Sequence, residues 1–121
     1  MTKQQDDVAV ANEVRLVGAL SSAPETRTLP SGDQLCVCRL VVPRQDVRVL
    51  PSGRRGPSVD VVDLAAWAAR PRRSMAGWQP GDEVEVRGAL RRRFYRAGGR
   101  TASRVEVEVS SGRVVRRARN E

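Results

Sequence analysis

A chain of 121 residues, 40% hydrophobic and 30% charged, suits one globular domain: it is too short for two and too apolar for disorder. The formal net charge of +8 is unevenly placed, because residues 1–86 hold 11 Lys and Arg against 11 Asp and Glu, while residues 87–121 hold 11 Arg against 3 Glu. A positive field concentrated in the last third favours a polyanion over a small neutral ligand.

Enzymatic chemistry finds little support. With no histidine, the commonest general acid/base and the commonest metal ligand are both missing. No glycine motif that cradles phosphate is present, and neither a metal nor another cofactor is expected. Of the 22 cationic residues only Lys3 is lysine, and arginine's planar fork chelates phosphate and stacks on bases. No apolar run approaches the roughly 20 residues of a membrane span. The start, Met1 to Asp7, lacks the charged and apolar regions of a signal peptide, so a cytoplasmic protein is expected.

In chain order, residues 1–11 read as a flexible polar tail. Val14, Leu16, Gly18 and Leu20 then alternate with Glu13, Arg15, Val17 and Ala19, the pattern of a half-buried strand. Ala23-Pro24-Glu25 and Leu29 to Asp33 carry turn residues on either side of a short extended piece. Leu35 to Val42 is a nearly continuous apolar strand interrupted by Arg39. Its two cysteines, Cys36 and Cys38, point the same way with Cα atoms roughly 6.5–7 Å apart, the edge of disulfide reach. Two buried free thiols are expected, with pairing to a symmetry mate left open. Pro43 to Ser58, rich in proline, glycine and arginine, reads as a long loop.

The β pattern resumes from Val59 to Trp67. Ala68 to Trp78 is the one plausible helix, with Pro71 in its first turn, and Pro80-Gly81-Asp82 stops it. Glu83 to Leu90 and Arg104 to Val109 both alternate cleanly, and Gly98-Gly99 between them marks a hairpin tip. Five strands with one helix between the third and fourth is the plan of an oligonucleotide-binding (OB) barrel, an all-β fold with small α content. It spans residues 12–115 and leaves 116–121 as a short basic tail.

The period of two assigns candidate ligand residues. Val84, Val86, Gly88 and Leu90 mark the core face, so Arg87, Arg91, Arg93 and Tyr95 share the other. A tyrosine among arginines on one β face is a stacking platform in an electrostatic groove. Phe94 shares the core parity and either closes the barrel or meets a base. Val62, Leu64 and Ala66 look inward, which turns Trp67 outward, where a large ring wants a partner such as a base. Trp78 precedes Pro80-Gly81 and is expected in the core.

These residues resemble the bacterial single-stranded DNA-binding protein family over Asn12 to Val115. The likeness rests on Asn12-Glu13-Val14-Arg15-Leu16-Val17-Gly18-Ala19-Leu20, Pro24-Glu25-Thr26-Arg27 and Pro30-Ser31-Gly32. Further marks are Leu40, Trp67 ending the third strand, and Pro80-Gly81-Asp82-Glu83-Val84-Glu85-Val86-Arg87-Gly88-Ala89-Leu90. The arginine bias is similar to that of versions from high-GC actinobacteria. The resemblance implies homotetramers of OB folds that wrap single-stranded DNA with little sequence preference, in replication, recombination or repair. It places the family's main stacking positions on Asp46, Val61, Trp67 and Tyr95, so two of the four are not aromatic. A basic residue often found two after the second of these is Asp63 here.

Family members that act as hubs carry a long acidic-tipped tail, whereas this chain ends in Val114 to Glu121, short and basic. It therefore resembles a secondary paralogue, and recruitment of enzymes through such a tail is not expected. The site expected is Trp67, Tyr95 and Phe94 for bases, with Arg91, Arg92, Arg93, Arg96 and Arg100 on phosphates and Arg27 and Arg39 as weaker candidates. The rival is an OB-type assembly module that mainly binds protein.

Overall fold

The structure, a computed structural model, describes residues 8–119. Residues 1–7 and 120–121, parts of the two expected tails, lie outside the described residues. The elements run β1 (Val14–Leu20), β2 (Glu25–Thr28), β3 (Gln34–Pro43), β4 (Val59–Ala66), α1 (Ala69–Ala76), β5 (Glu83–Ala97) and β6 (Arg100–Arg116). β1 pairs with both β5 and β3, β5 with β6, β6 with β4 in parallel, and β4 with β3. Those five strands close into a ring, the expected OB barrel, and the short β2 adds to the edge of β3. No helix among the described residues is long and apolar enough to cross a membrane.

Closure brings backbones unusually near each other. A Cβ on Gly18 would lie 2.3 Å from the Val41 carbonyl oxygen, and one on Gly88 would lie 1.9 Å from that of Glu108. Only glycine fits at these crossings. Inside the ring, alternate residues make the core: Leu20 from β1, Cys36, Cys38 and Leu40 from β3, Leu64 and Ala66 from β4, Val84 and Val86 from β5, Val107 and Val109 from β6. Trp78 joins this core, as the sequence suggests, and so does Met75. α1 has no side-chain cap and no acidic residue in its first turn. An eight-residue helix of that kind is held by burial of Pro71 and Met75, not by its own propensity. It is shorter than the expected Ala68–Trp78, since Gly77 ends it.

Both cysteines are buried and free, on the inward face as their spacing implies. Burial pushes the Cys38 thiol up to about 12, and raises Cys36 against an opposing hydrogen bond with Thr26.

β5 and β6 outrun the expected strands, continuing to Ala97 and to Arg116. Two bulges on β6 account for the second extension. Arg87 pairs with Ser111 and Gly88 with Val109, so Ser110 is extra, and Val115 is extra in the same way. Before Ser110 the odd residues Val107 and Val109 face the core; after it the even residues Gly112 and Val114 stand on that side. The alternation read from sequence therefore breaks at Val109 although the strand does not. The other end is tied by Asp82. Its carboxylate accepts from the backbone N–H of Ala118 (2.8 Å) and of Gln79 (2.9 Å), and from Arg117 Nη1 (3.1 Å). Those donors hold the Asp82 carboxyl below the usual carboxylate range, against the opposing effect of burial.

Candidate nucleic-acid interface

The outward face is built by the residues that alternate with the core. On β4 these are Val61, Asp63 and Ala65, and Trp67 just past the strand follows the same alternation. Across β3 they meet Val41, Arg39 and Val37. On β5 and β6 the same side carries Arg91, Arg93 and Tyr95, paired with Glu106, Arg104 and Ala102. Trp67 is half-buried, and the Arg93 guanidinium carbon stands 4.4 Å from its ring centroid. Arg104, the cross-strand partner of Arg93, places its own 5.9 Å from the Tyr95 centroid. Two aromatic rings and two guanidinium planes thus share one side of the molecule, each ring already faced by a cation.

The other expected residues are distributed less evenly. Arg91 stands on this face but holds Glu108 at 2.9 Å. Arg27 and Arg39 likewise pair with Glu25 at 2.9 Å and Asp63 at 3.1 Å. Among the described residues Arg92, Arg96 and Arg100 meet no carboxylate; Arg92 donates to Ser103 Oγ (3.0 Å) and Arg96 to the Gly99 carbonyl (3.2 Å). Arg100 pairs with Ala97 across the tip, where Gly98 and Gly99 adopt φ of 58° and 80° as a two-residue turn requires. Phe94 keeps the core parity expected of it but does not close the barrel. Beyond Leu90 the hairpin projects past the ring, so Phe94 is 69% exposed. It stands with Leu90, Arg92, Arg96 and Val105 on the side opposite Tyr95, and the structure does not bring Phe94, Arg92 or Arg96 to the Trp67 face.

Three residues of this region escaped the sequence reading. Arg104 and Glu106 were legible only as polar positions of an alternating strand, since nothing local tells that β6 lies beside β4. Arg72, on α1, lines a cleft with Gly32, Asp33, Gln34 and Trp67. Its Nη1 donates to Gln34 Oε1 at 2.6 Å, while its buried Nε meets no acceptor among the described residues. The charge within this face is mixed: Arg39, Arg91, Arg93 and Arg104 each face a carboxylate, and Arg100 at the hairpin tip meets none among the described residues.

Comparison with known proteins bears on the fold and the family. No curated protein sequence matches the chain. Among solved structures, a Plasmodium falciparum SSB in complex with ssDNA superposes with a TM-score of 0.70 at 16% identity, covering 91% of this chain and 97% of that one. The small single-stranded DNA-binding protein from Streptomyces coelicolor superposes at 0.58 with 18% identity, covering 84% and 92% respectively. At such identities the likeness establishes the fold. The sequence itself matches the model of the single-strand binding protein family over residues 11–115, nearly the whole barrel, and the chain belongs to that family.

Proposed function

We propose that this protein binds single-stranded DNA with little regard to sequence, without catalysis, by stacking bases on Trp67 and Tyr95 and holding phosphates with arginine. The observation that carries the reading is the outward face on which both rings stand among Arg91, Arg93 and Arg104. Family membership and the likeness to a protein solved with ssDNA support it. Base–aromatic stacking tolerates every base because every base has a π face. The phosphates would run along the Tyr95 side of the hairpin, where Arg100 meets no carboxylate among the described residues. Arg92, Phe94 and Arg96, on the reverse side of the hairpin, would meet DNA only where the strand wraps round its edge. Arg27 and Arg39 would have to exchange a carboxylate for a phosphate, which makes them secondary contacts.

A homo-oligomer, a homotetramer by the family resemblance, is the assembly we propose. The exposed Leu90, Phe94 and Val105 on the reverse of the hairpin support a second copy there. Titration of labelled oligo(dT) of increasing length, followed by fluorescence anisotropy at two salt concentrations, tests the reading. Tight binding that weakens with salt is expected. No binding at low salt would overturn it and leave the protein-binding assembly module.

A further inference from the structure

Beside the two rings lies a groove of about 520 Å³ between β2, β3, β4 and β6, within the range of about 300–1,000 Å³ usual for ligand sites. It is lined by three arginines and three carboxylates: Arg27, Arg39, Arg104, Glu25, Asp63 and Glu106. Two of those carboxylates are occupied, Glu25 by Arg27 at 2.9 Å and Asp63 by Arg39 at 3.1 Å. Glu106 differs. It is 3% exposed, and its Oε2 accepts no hydrogen bond among the described residues. Its neighbours Arg93 and Arg104 stop at 3.5 and 3.8 Å, longer than a charge-assisted hydrogen bond. Both guanidinium carbons lie instead over rings, Arg93 at 4.4 Å from the Trp67 centroid and Arg104 at 5.9 Å from that of Tyr95. A buried carboxylate oxygen with no donor at hydrogen-bond distance is costly unless something supplies one.

We infer that this groove receives one base of the bound strand, edge first, and that Glu106 accepts from the Watson–Crick edge of guanine, giving the protein a base preference its stacking platform lacks. The inference rests on the single-strand reading above. A carboxylate repels phosphate, so the backbone keeps to the rim and the base turns inward. Guanine suits the acceptor because it presents two parallel donors, N1–H and the N2 amino group, to two carboxylate oxygens, the buried Oε2 being reached once Arg93, 3.5 Å from it, turns aside. Thymine offers one N–H flanked by carbonyls, which oppose the carboxylate. Adenine and cytosine each offer one amino donor beside a ring-nitrogen acceptor.

The test uses the whole protein and short dT oligomers carrying a single central substitution. Guanine is expected to bind about tenfold tighter than thymine, the discrimination of one good bidentate contact. Adenine, a purine that stacks as well, should gain less than threefold. Inosine, guanine without the N2 amino group, should return to within threefold of thymine. Glu106→Gln should reduce the guanine preference to within twofold, with circular dichroism confirming the fold. Should that variant not fold, the inosine comparison decides alone. Equal binding of guanine and thymine, equal binding of inosine and guanine, or a preference that survives in folded Glu106→Gln would each overturn the inference while leaving strand binding intact. Failure of every oligomer to bind would overturn the reading on which it rests, and the inference with it.

Discussion

Replacing Trp67 with alanine separates binding from folding. The ring stands on the outward face, half-buried, so its truncation removes little of the core. What the fold loses is chiefly the Arg93 contact at 4.4 Å, worth about 0.5–1 kcal/mol at an exposed site. What binding loses is one stacked base, about 1–3 kcal/mol, which corresponds to roughly 5- to 150-fold in Kd. Arg93 must move aside or sandwich the base, and displacing it subtracts a fraction of that gain in the wild type, so the middle of the range is expected. Anisotropy titration with labelled dT gives the affinity, and urea denaturation gives the stability. Trp67→Ala should therefore bind about tenfold more weakly and unfold at nearly the same urea concentration. A stability loss of about 3–5 kcal/mol, the cost of a large core truncation, with Kd unchanged within twofold would refute the reasoning.

Trp78 should behave in the opposite way: Trp78→Ala is expected to cost about 3–5 kcal/mol of stability. Gly112→Ala, whose Cβ would stand 2.7 Å from the Trp78 ring, should cost about 1–3 kcal/mol; thermal melts check both, and unchanged melting temperatures would place the ring elsewhere. The hairpin arginines that meet no carboxylate should set the salt response. Converting Arg100 to glutamine should flatten the plot of log affinity against log salt by roughly 0.7, one phosphate. Converting Arg92 and Arg96 as well, on the reverse side, should bring the change to about two where the strand wraps round the hairpin edge, and an unchanged slope in the triple variant would put the phosphates elsewhere. Asp82 should shape acid stability. Its carboxyl is depressed below the ordinary 3.8 in the folded state, so its contribution is complete above the unfolded value and disappears as pH falls through the folded one. Wild type should then lose stability with acid below about pH 4, whereas Asp82→Asn should be less stable at neutral pH and flatter in acid; parallel curves from pH 7 to pH 2 would contradict the role.

The barrel was legible because its inward residues alternate wherever a strand pairs regularly. β1, β3 and β4 could be read nearly to their ends, and the two tryptophans fell on the expected sides, Trp67 by the parity of Val62, Leu64 and Ala66 and Trp78 by its position before Pro80-Gly81. Reading failed where pairing is irregular. Ser110 and Val115 each reverse the alternation of β6 without ending it, and a pattern of two cannot register an inserted residue. Phe94 shows a second limit: parity tells which side a residue takes but not where the barrel stops beneath it. The groove was invisible for a third reason. Glu106 and Asp63 come from strands far apart in sequence, and the parallel pairing of β4 with β6 that brings these strands side by side leaves no local signal.

The Asp82 anchor also fixes where the chain goes after the barrel. Glu83 pairs with Arg116 at the base of the hairpin whose tip is Gly98-Gly99, and Ala118 is bonded to Asp82 beside that base. A 15-residue strand spans the interval, roughly 45 Å at the usual rise per residue. A fluorophore attached just beyond residue 119 would thus start far from the tip, with its origin fixed by a short tether. Paired with a second dye at the turn, it would act as a ruler along the hairpin, reporting bending of that projection in the presence of an oligonucleotide without touching either ring.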